Sequence, residues 1–148
     1  MSISVWDIMG YLLMATRWTV LLSLLAFAGG VAGSLLLLLL RFGAPRYGKR
    51  LMALYVEVFQ GTPLLLQLFI VFFGMPMLGL ETTATMAAVV ALSLYATAYL
   101  SEIWRGCIEA IPRGQWDAAA SLGMSFVKQM GLVILPQAFR ISIPPTVG

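Results

Sequence analysis

Trp18–Leu40 reads WTVLLSLLAFAGGVAGSLLLLLL, 23 residues without a charge, bounded by Arg17 and Arg41. As a helix this run is about 34 Å long, enough to cross a hydrocarbon core of about 30 Å with some tilt. A cleaved signal peptide has a shorter apolar core and a basic segment ahead of it, so the run reads as a transmembrane helix. Gly29, Gly30 and Gly33 stand among Ala26, Ala28, Ala32 and Ser34. Two readings fit this patch: a surface for close helix approach in lipid, or the ordinary glycine content of membrane helices.

Moving outward, charges divide the rest of the chain in the same way. Val58–Leu80 is a second uncharged run and Thr82–Ser101 a third. Pro63 lacks an amide hydrogen, and a turn broken in lipid is tolerated only where protein or a water-filled cavity satisfies the freed carbonyls. Spans are expected at 18–40, 56–75 and 83–104. Gln129–Phe139 is too short to cross a bilayer, and the stretch is then broken by Pro136, Arg140, Pro144 and Pro145. Residues 129–148 therefore read as the start of a fourth span.

Composition agrees. Hydrophobic residues make up 61% and charged residues 10% of 148 residues, against about 45–50% and 25% in soluble domains. The mean hydropathy is +0.95. There is no histidine and one cysteine, which excludes His-based catalysis, His-rich metal sites and an intrachain disulfide.

The net charge of +3 follows from topology. Arg41, Arg46, Lys49 and Arg50 follow the first span, and Arg105, Arg113 and Lys128 follow the third. Only Arg17 lies on the opposite side, and Arg140 is not assigned. The positive-inside rule then puts the N-terminus outside and segments 41–55 and 105–128 inside. A nucleic-acid surface is not expected. Ile3–Met14 is mildly amphipathic, with Trp6, Tyr11 and Trp18 suited to an outer aromatic belt.

The inner segment after the third span is the most informative. Glu102, Arg105 and Glu109 share a helix face at i, i+3 and i+7 spacing. Pro112 interrupts the helix, Arg113-Gly114 makes a turn, and Ala118-Ala119-Ala120 favours a short helix. Asp117 complements the dipole at its start, Gly123 terminates it in a left-handed conformation, and Ser125 caps the next helix. The small alanine face with Trp116 suits insertion into a partner's groove, and serves equally as a turn between spans.

These residues resemble a known family. Asp117-Ala118-Ala119, Gly123 and Val133-Ile134-Leu135-Pro136 stand at the spacing of the signature loop of bacterial ABC-importer permeases, with Asp for Glu at 117 and Val for Ile at 133. Glu57 to Gln67, through Gln60-Gly61-Thr62-Pro63, resembles the Arg-Gly-Thr-Pro segment of polar amino-acid permeases, with Gln60 in place of the arginine. Tyr99–Gly106, Ala110–Gln115 and Leu135–Arg140 with Pro144-Pro145 are similar to the same histidine/glutamate/glutamine/arginine/opine group.

The resemblance implies an all-α, polytopic, MetI-like type I permease in the bacterial inner membrane, with three complete spans, a cytoplasmic coupling helix and the start of a fourth span. It implies a second permease subunit, identical or not, a cytoplasmic ATPase dimer and an external solute-binding protein. The chain itself makes no covalent bonds and needs no cofactor, ATP being bound by the partner. Coupling would fall to Arg113, Gln115, Trp116, Asp117, Ala118, Ala119, Ser121, Leu122 and Gly123 within segment 113–128. The path or gate would include Gln60, Gly61, Thr62, Pro63, Gln67, Tyr99 and Glu102, since polar groups at spans line pathways and pair with one another. A structural membrane protein or an uncoupled channel is the alternative; a membrane enzyme is disfavoured by the missing nucleophile–base pair. The family has about five spans, so a truncated product or fragment is expected, with a further apolar span missing after Gly148.

Overall fold

The computed structural model describes residues 5–147, and among them every regular element is helical. Ile3 and Ser4 of the amphipathic stretch, and Gly148, lie outside the described residues. The first helix, α1, runs Val5–Gly43. Its 39 residues make it about 58 Å long, well beyond the 18–40 run. Trp6 to Trp18 continue the same helix, and their large apolar side chains are exposed around it. Within the described residues, the N-terminal stretch is thus continuous with the first span.

Helix α4, Ala84–Glu109, packs along α1. Thr83 caps its start, its hydroxyl accepting from the Met86 amide at 3.2 Å. The small-residue patch is the seam. A Cβ at Gly29 would lie 2.3 Å from Ser93 Oγ, one at Gly30 2.6 Å from Ala96 Cβ, and one at Gly33 2.3 Å from Thr97 Oγ1. Ser34 Oγ lies 2.6 Å from Gly30 O and 3.2 Å from Thr97 O, and Thr97 Oγ1 lies 3.4 Å from Gly30 O. Backbones approach closely enough for hydroxyls to bond the neighbouring helix, as small residues in lipid allow. The close-approach reading of the patch is the one realised. Residue numbers rise together across this seam, so α1 and α4 run parallel.

Parallel neighbours need a return crossing between them. It is not the single helix at 56–75 expected from the apolar run. Helix α2, Pro45–Gly61, and helix α3, Leu64–Met77, meet at a bend of 102°. Pro63 drives its predecessor out of the helical region, and Thr62 is extended at φ −111°, ψ 142°. The basic segment 41–55 is likewise not a loop: only Ala44 interrupts it, and Pro45 opens α2 at a position where its missing amide costs nothing. Gly48 permits the α1–α2 elbow, because a Cβ there would meet Leu40 O at 2.1 Å. Two helices, Trp6–Gly43 and Ala84–Glu109, are each long and apolar enough to cross a membrane, and the bent pair makes up to a third crossing.

After α4 come α5, Arg113–Ser121, and the short α6, Phe126–Gln129. A π-helical turn, Met130–Ile134, leads into α7, Leu135–Val147. Pro136, Pro144 and Pro145 do not break this helix. Pro136 lies in its first turn, and Pro144-Pro145 in its last, where Thr146 Oγ1 donates to Ser142 O at 2.6 Å. Trp104 Nε1 donates to Thr146 Oγ1 at 3.0 Å and ties α7 to α4. Ile108, Ile111, Ile134 and Ala138 form a core here, with Phe42, Trp116, Met130 and Val133 packed on it.

Candidate functional site

Two groups of residues carry the functional expectations, one at the tip formed by α5 and one along α2, α3 and α4. Arg113 and Gly114 are the first residues of α5 rather than a turn before it, since Pro112 already occupies the N-cap. Asp117 consequently sits in the second turn, away from the helix start. Gly123 ends the segment as expected, at φ +71° with open space around it. Its amide donates to Ala120 O at 2.9 Å, and Met124 N donates to Ala119 O at 3.3 Å. Ser125 holds the N-cap position of α6, but its hydroxyl makes no capping bond.

The two large residues of this segment face opposite ways. Trp116 turns inward onto the core and stacks on Phe126 with centroids 6.4 Å apart. Ala119 is buried beside it. Half-buried, Trp116 anchors the helix to its own chain, since an indole gains more from an available apolar core than from water. Leu122 is 81% exposed. Arg113, Gln115, Asp117, Ala118, Ser121 and Gly123 are also exposed. Gln115 Oε1 accepts from Gln137 Nε2 at 3.2 Å, linking α5 to α7, and Ser121 Oγ donates to Asp117 O at 2.9 Å. The outer surface is thus a row of small and polar groups with one leucine at its end.

The second group divides in two. Gln60, Gly61, Thr62, Pro63 and Gln67 meet at the α2–α3 bend. Gln60 Nε2 donates to Ala98 O at 3.4 Å. Gln67 is buried, and its Nε2 lies 2.8 Å from Phe59 O, 2.8 Å from Thr62 Oγ1 and 3.1 Å from Thr62 O. Tyr99 lies across on α4, accepting from Tyr95 OH at 3.0 Å. Tyr55, which the sequence reading passed over, donates to Leu94 O at 2.8 Å and stacks on Phe59.

Glu102 lies apart from that group, beside a cavity of about 370 Å³ whose wall also includes Arg41, Met52, Glu57 and Arg105. Arg105 Nε donates to Glu102 Oε2 at 3.1 Å, its Nη2 also pairs with Glu102, and its Nη1 reaches Glu109 at 2.5 Å. The face predicted from i, i+3, i+7 spacing is present, and Arg41 extends it: its Nη2 meets Glu109 Oε1 at 2.6 Å. Arg41 was legible only as a topological charge, since nothing local in sequence couples it to a residue 68 positions away. The pairing puts the basic ends of α1 and α4 on one side. Among the described residues no group of acids, Cys and His has the makings of a metal site.

Comparison with known proteins fits this geometry. The family described as "Binding-protein-dependent transport system inner membrane component" matches residues 29–147. The L-cystine transport system permease protein TcyB of Bacillus subtilis is 42% identical over 86% of this chain and 55% of its own length. The arginine transport system permease protein ArtQ of the same organism is 52% identical over 64% of this chain and 43% of its own. The chain therefore spans about half the length of these curated relatives. A crystal structure described as an amino acid ABC transporter with histidines superposes with a TM-score of 0.84 at 34% identity, covering 99% of this chain and 70% of that one. By sequence match and by fold, the chain belongs to the family of binding-protein-dependent transport system inner membrane components.

Proposed function

We propose that this chain is the transmembrane permease subunit of an ATP-driven ABC importer that moves polar amino acids into the cytoplasm. Its relatives include permeases named for cystine and arginine transport. In this reading the N-terminus faces outside, and α5 with the basic residues of α2 faces the cytoplasm. A cytoplasmic ATPase dimer binds and hydrolyses ATP, so the permease needs no cofactor. A second permease subunit, identical or related, completes the path, and an external binding protein delivers the substrate. The path runs past Gln60, Tyr99 and Glu102. Closure of the ATPase pair moves α5, and α5 moves the spans because Trp116 packs on the core between α4 and α7.

The observation that carries this reading is the two-sided build of α5: an inner face fixed on the chain's own core, and an outer face that ends in the exposed Leu122. The test is co-purification of the permease with its ATPase after Leu122→Arg or Ala118→Arg, both at exposed positions. Loss of the ATPase with retained membrane insertion supports docking through this face. Full retention in both variants overturns it.

A further inference from the structure

Pro63 creates a specific deficit. In a continuous helix the amide of residue 63 would donate to the carbonyl of Phe59, four residues back. Proline has no such hydrogen, so Phe59 O is left without its helical partner at the end of α2, within the uncharged run Val58–Leu80. Water is scarce there, and an unmatched carbonyl costs several kcal/mol in hydrocarbon. The carbonyl is nevertheless matched. Gln67 Nε2, from the first turn of α3, reaches Phe59 O at 2.8 Å. The same nitrogen lies 2.8 Å from Thr62 Oγ1, which itself donates to Val58 O at 2.8 Å. One side-chain amide thus serves two consecutive carbonyls at the end of α2, one directly and one through Thr62.

We propose that Gln67 is a clamp that fixes the 102° bend between α2 and α3 by standing in for the missing Pro63 amide. Three further observations point the same way. Gln67 is 6% exposed, so its amide is committed to the chain and does not face an open path. Its Oε1 is buried without a partner. An apolar side chain at this position would avoid that orphan, so the donors are what the glutamine contributes. Finally, Leu64, Leu65, Leu66 and Leu68 surround it in sequence, so no adjacent side chain of α3 carries a donor to replace it. Loss of the Gln67 hydrogen bonds leaves Phe59 O unmatched and loosens the angle between α2 and α3. Gln67 is a positioning residue in this account, and the account stands whether or not α5 docks on an ATPase.

The experiment is a distance measurement between spin labels in the full chain, reconstituted in lipid nanodiscs in a Cys107→Ala background. Leu51→Cys and Phe73→Cys place labels on α2 and α3; Leu24→Cys and Val90→Cys report the α1–α4 seam as a control. The parent is expected to give one narrow α2–α3 distance. Gln67→Met broadens it towards longer values, by up to ~10 Å, the difference between bent and straight segments of this length at 1.5 Å per residue. Thr62→Val, which removes one of the linked acceptors, gives a smaller broadening. In a Pro63→Ala background the amide is restored, and Gln67→Met adds nothing further. An unchanged α2–α3 distance in Gln67→Met overturns the clamp, as does an equal change in the α1–α4 control, which signals general loosening.

Discussion

Arg41 reaches Glu109 at 2.6 Å across 68 residues of sequence, joining the last turns of α1 and α4. Glu109 also holds Arg105, so one carboxylate bridges two guanidinium groups. The pair closes the C-terminal end of the two helices, and the glycine seam joins them nearer the middle. Glu109 is about half exposed, which limits what the pair contributes. Glu109→Gln is expected to cost about 0.5–1 kcal/mol, read as a lowered unfolding midpoint in detergent. The swap of Arg41→Glu with Glu109→Arg recovers part of the loss, and an unshifted midpoint for Glu109→Gln would show the pair to be inert.

The glycine seam makes a sharper prediction, because two kinds of obstruction can be told apart. At Gly33 an added Cβ meets the Thr97 side chain; at Gly48 it meets the backbone of Leu40 and Arg41. Gly33→Ala is expected to destabilise by about 1–3 kcal/mol, and Thr97→Ala in the same chain to relieve most of it. No side-chain change relieves Gly48→Ala. Thermal aggregation profiles of the single and double variants distinguish the two, and equal rescue at both positions would contradict the seam.

Inner and outer residues of α5 should separate stability from docking. Trp116→Ala removes an indole from the core edge and is expected to cost about 2–3 kcal/mol, less than a fully buried aromatic. Leu122→Ala leaves stability within about 0.5 kcal/mol and weakens capture of the ATPase. If Leu122→Ala lowers the unfolding midpoint as much as Trp116→Ala, the two-sided description fails.

Gly123 is left-handed at φ +71° with nothing within 4 Å of an added Cβ. The cost of substitution there is conformational alone. Gly123→Ala should cost about 1 kcal/mol, while Gly123→Asn, whose side chain tolerates that region, costs measurably less. Comparison of their unfolding midpoints is the check; a larger loss for Asn would mean that space and not backbone conformation limits the site.

The span pattern was readable because it rests on charge exclusion, which is local: Arg17, Arg41, Glu102 and Arg105 bracket runs that turn out helical. Gly123 was readable for the same reason, since its role depends on its own φ. What escaped is non-local or depends on direction. The apolar run through Thr62-Pro63 has the length of one span, and composition does not register a 102° bend. Alanine spacing defines a helix face at α5 but not which way it points, so the packing of Trp116 on the core was not readable from it. Pro136, Pro144 and Pro145 read as breaks, because each was weighed alone and not against the turns that receive them.

Helical phase supplies a last consequence. The π-helical turn Met130–Ile134 holds one residue more than α-helical winding would, with Leu135 N donating to Met130 O. One extra residue rotates everything downstream by about 100°. That rotation aligns Ile134, Ala138 and Ser142, all buried, in a stripe on the inner side of α7. Without it the stripe would start a quarter turn away, and Trp104 would lose its reach to Thr146. The bulge is therefore the indexing step between the rotational setting of α6 and the one that seats α7 against α4.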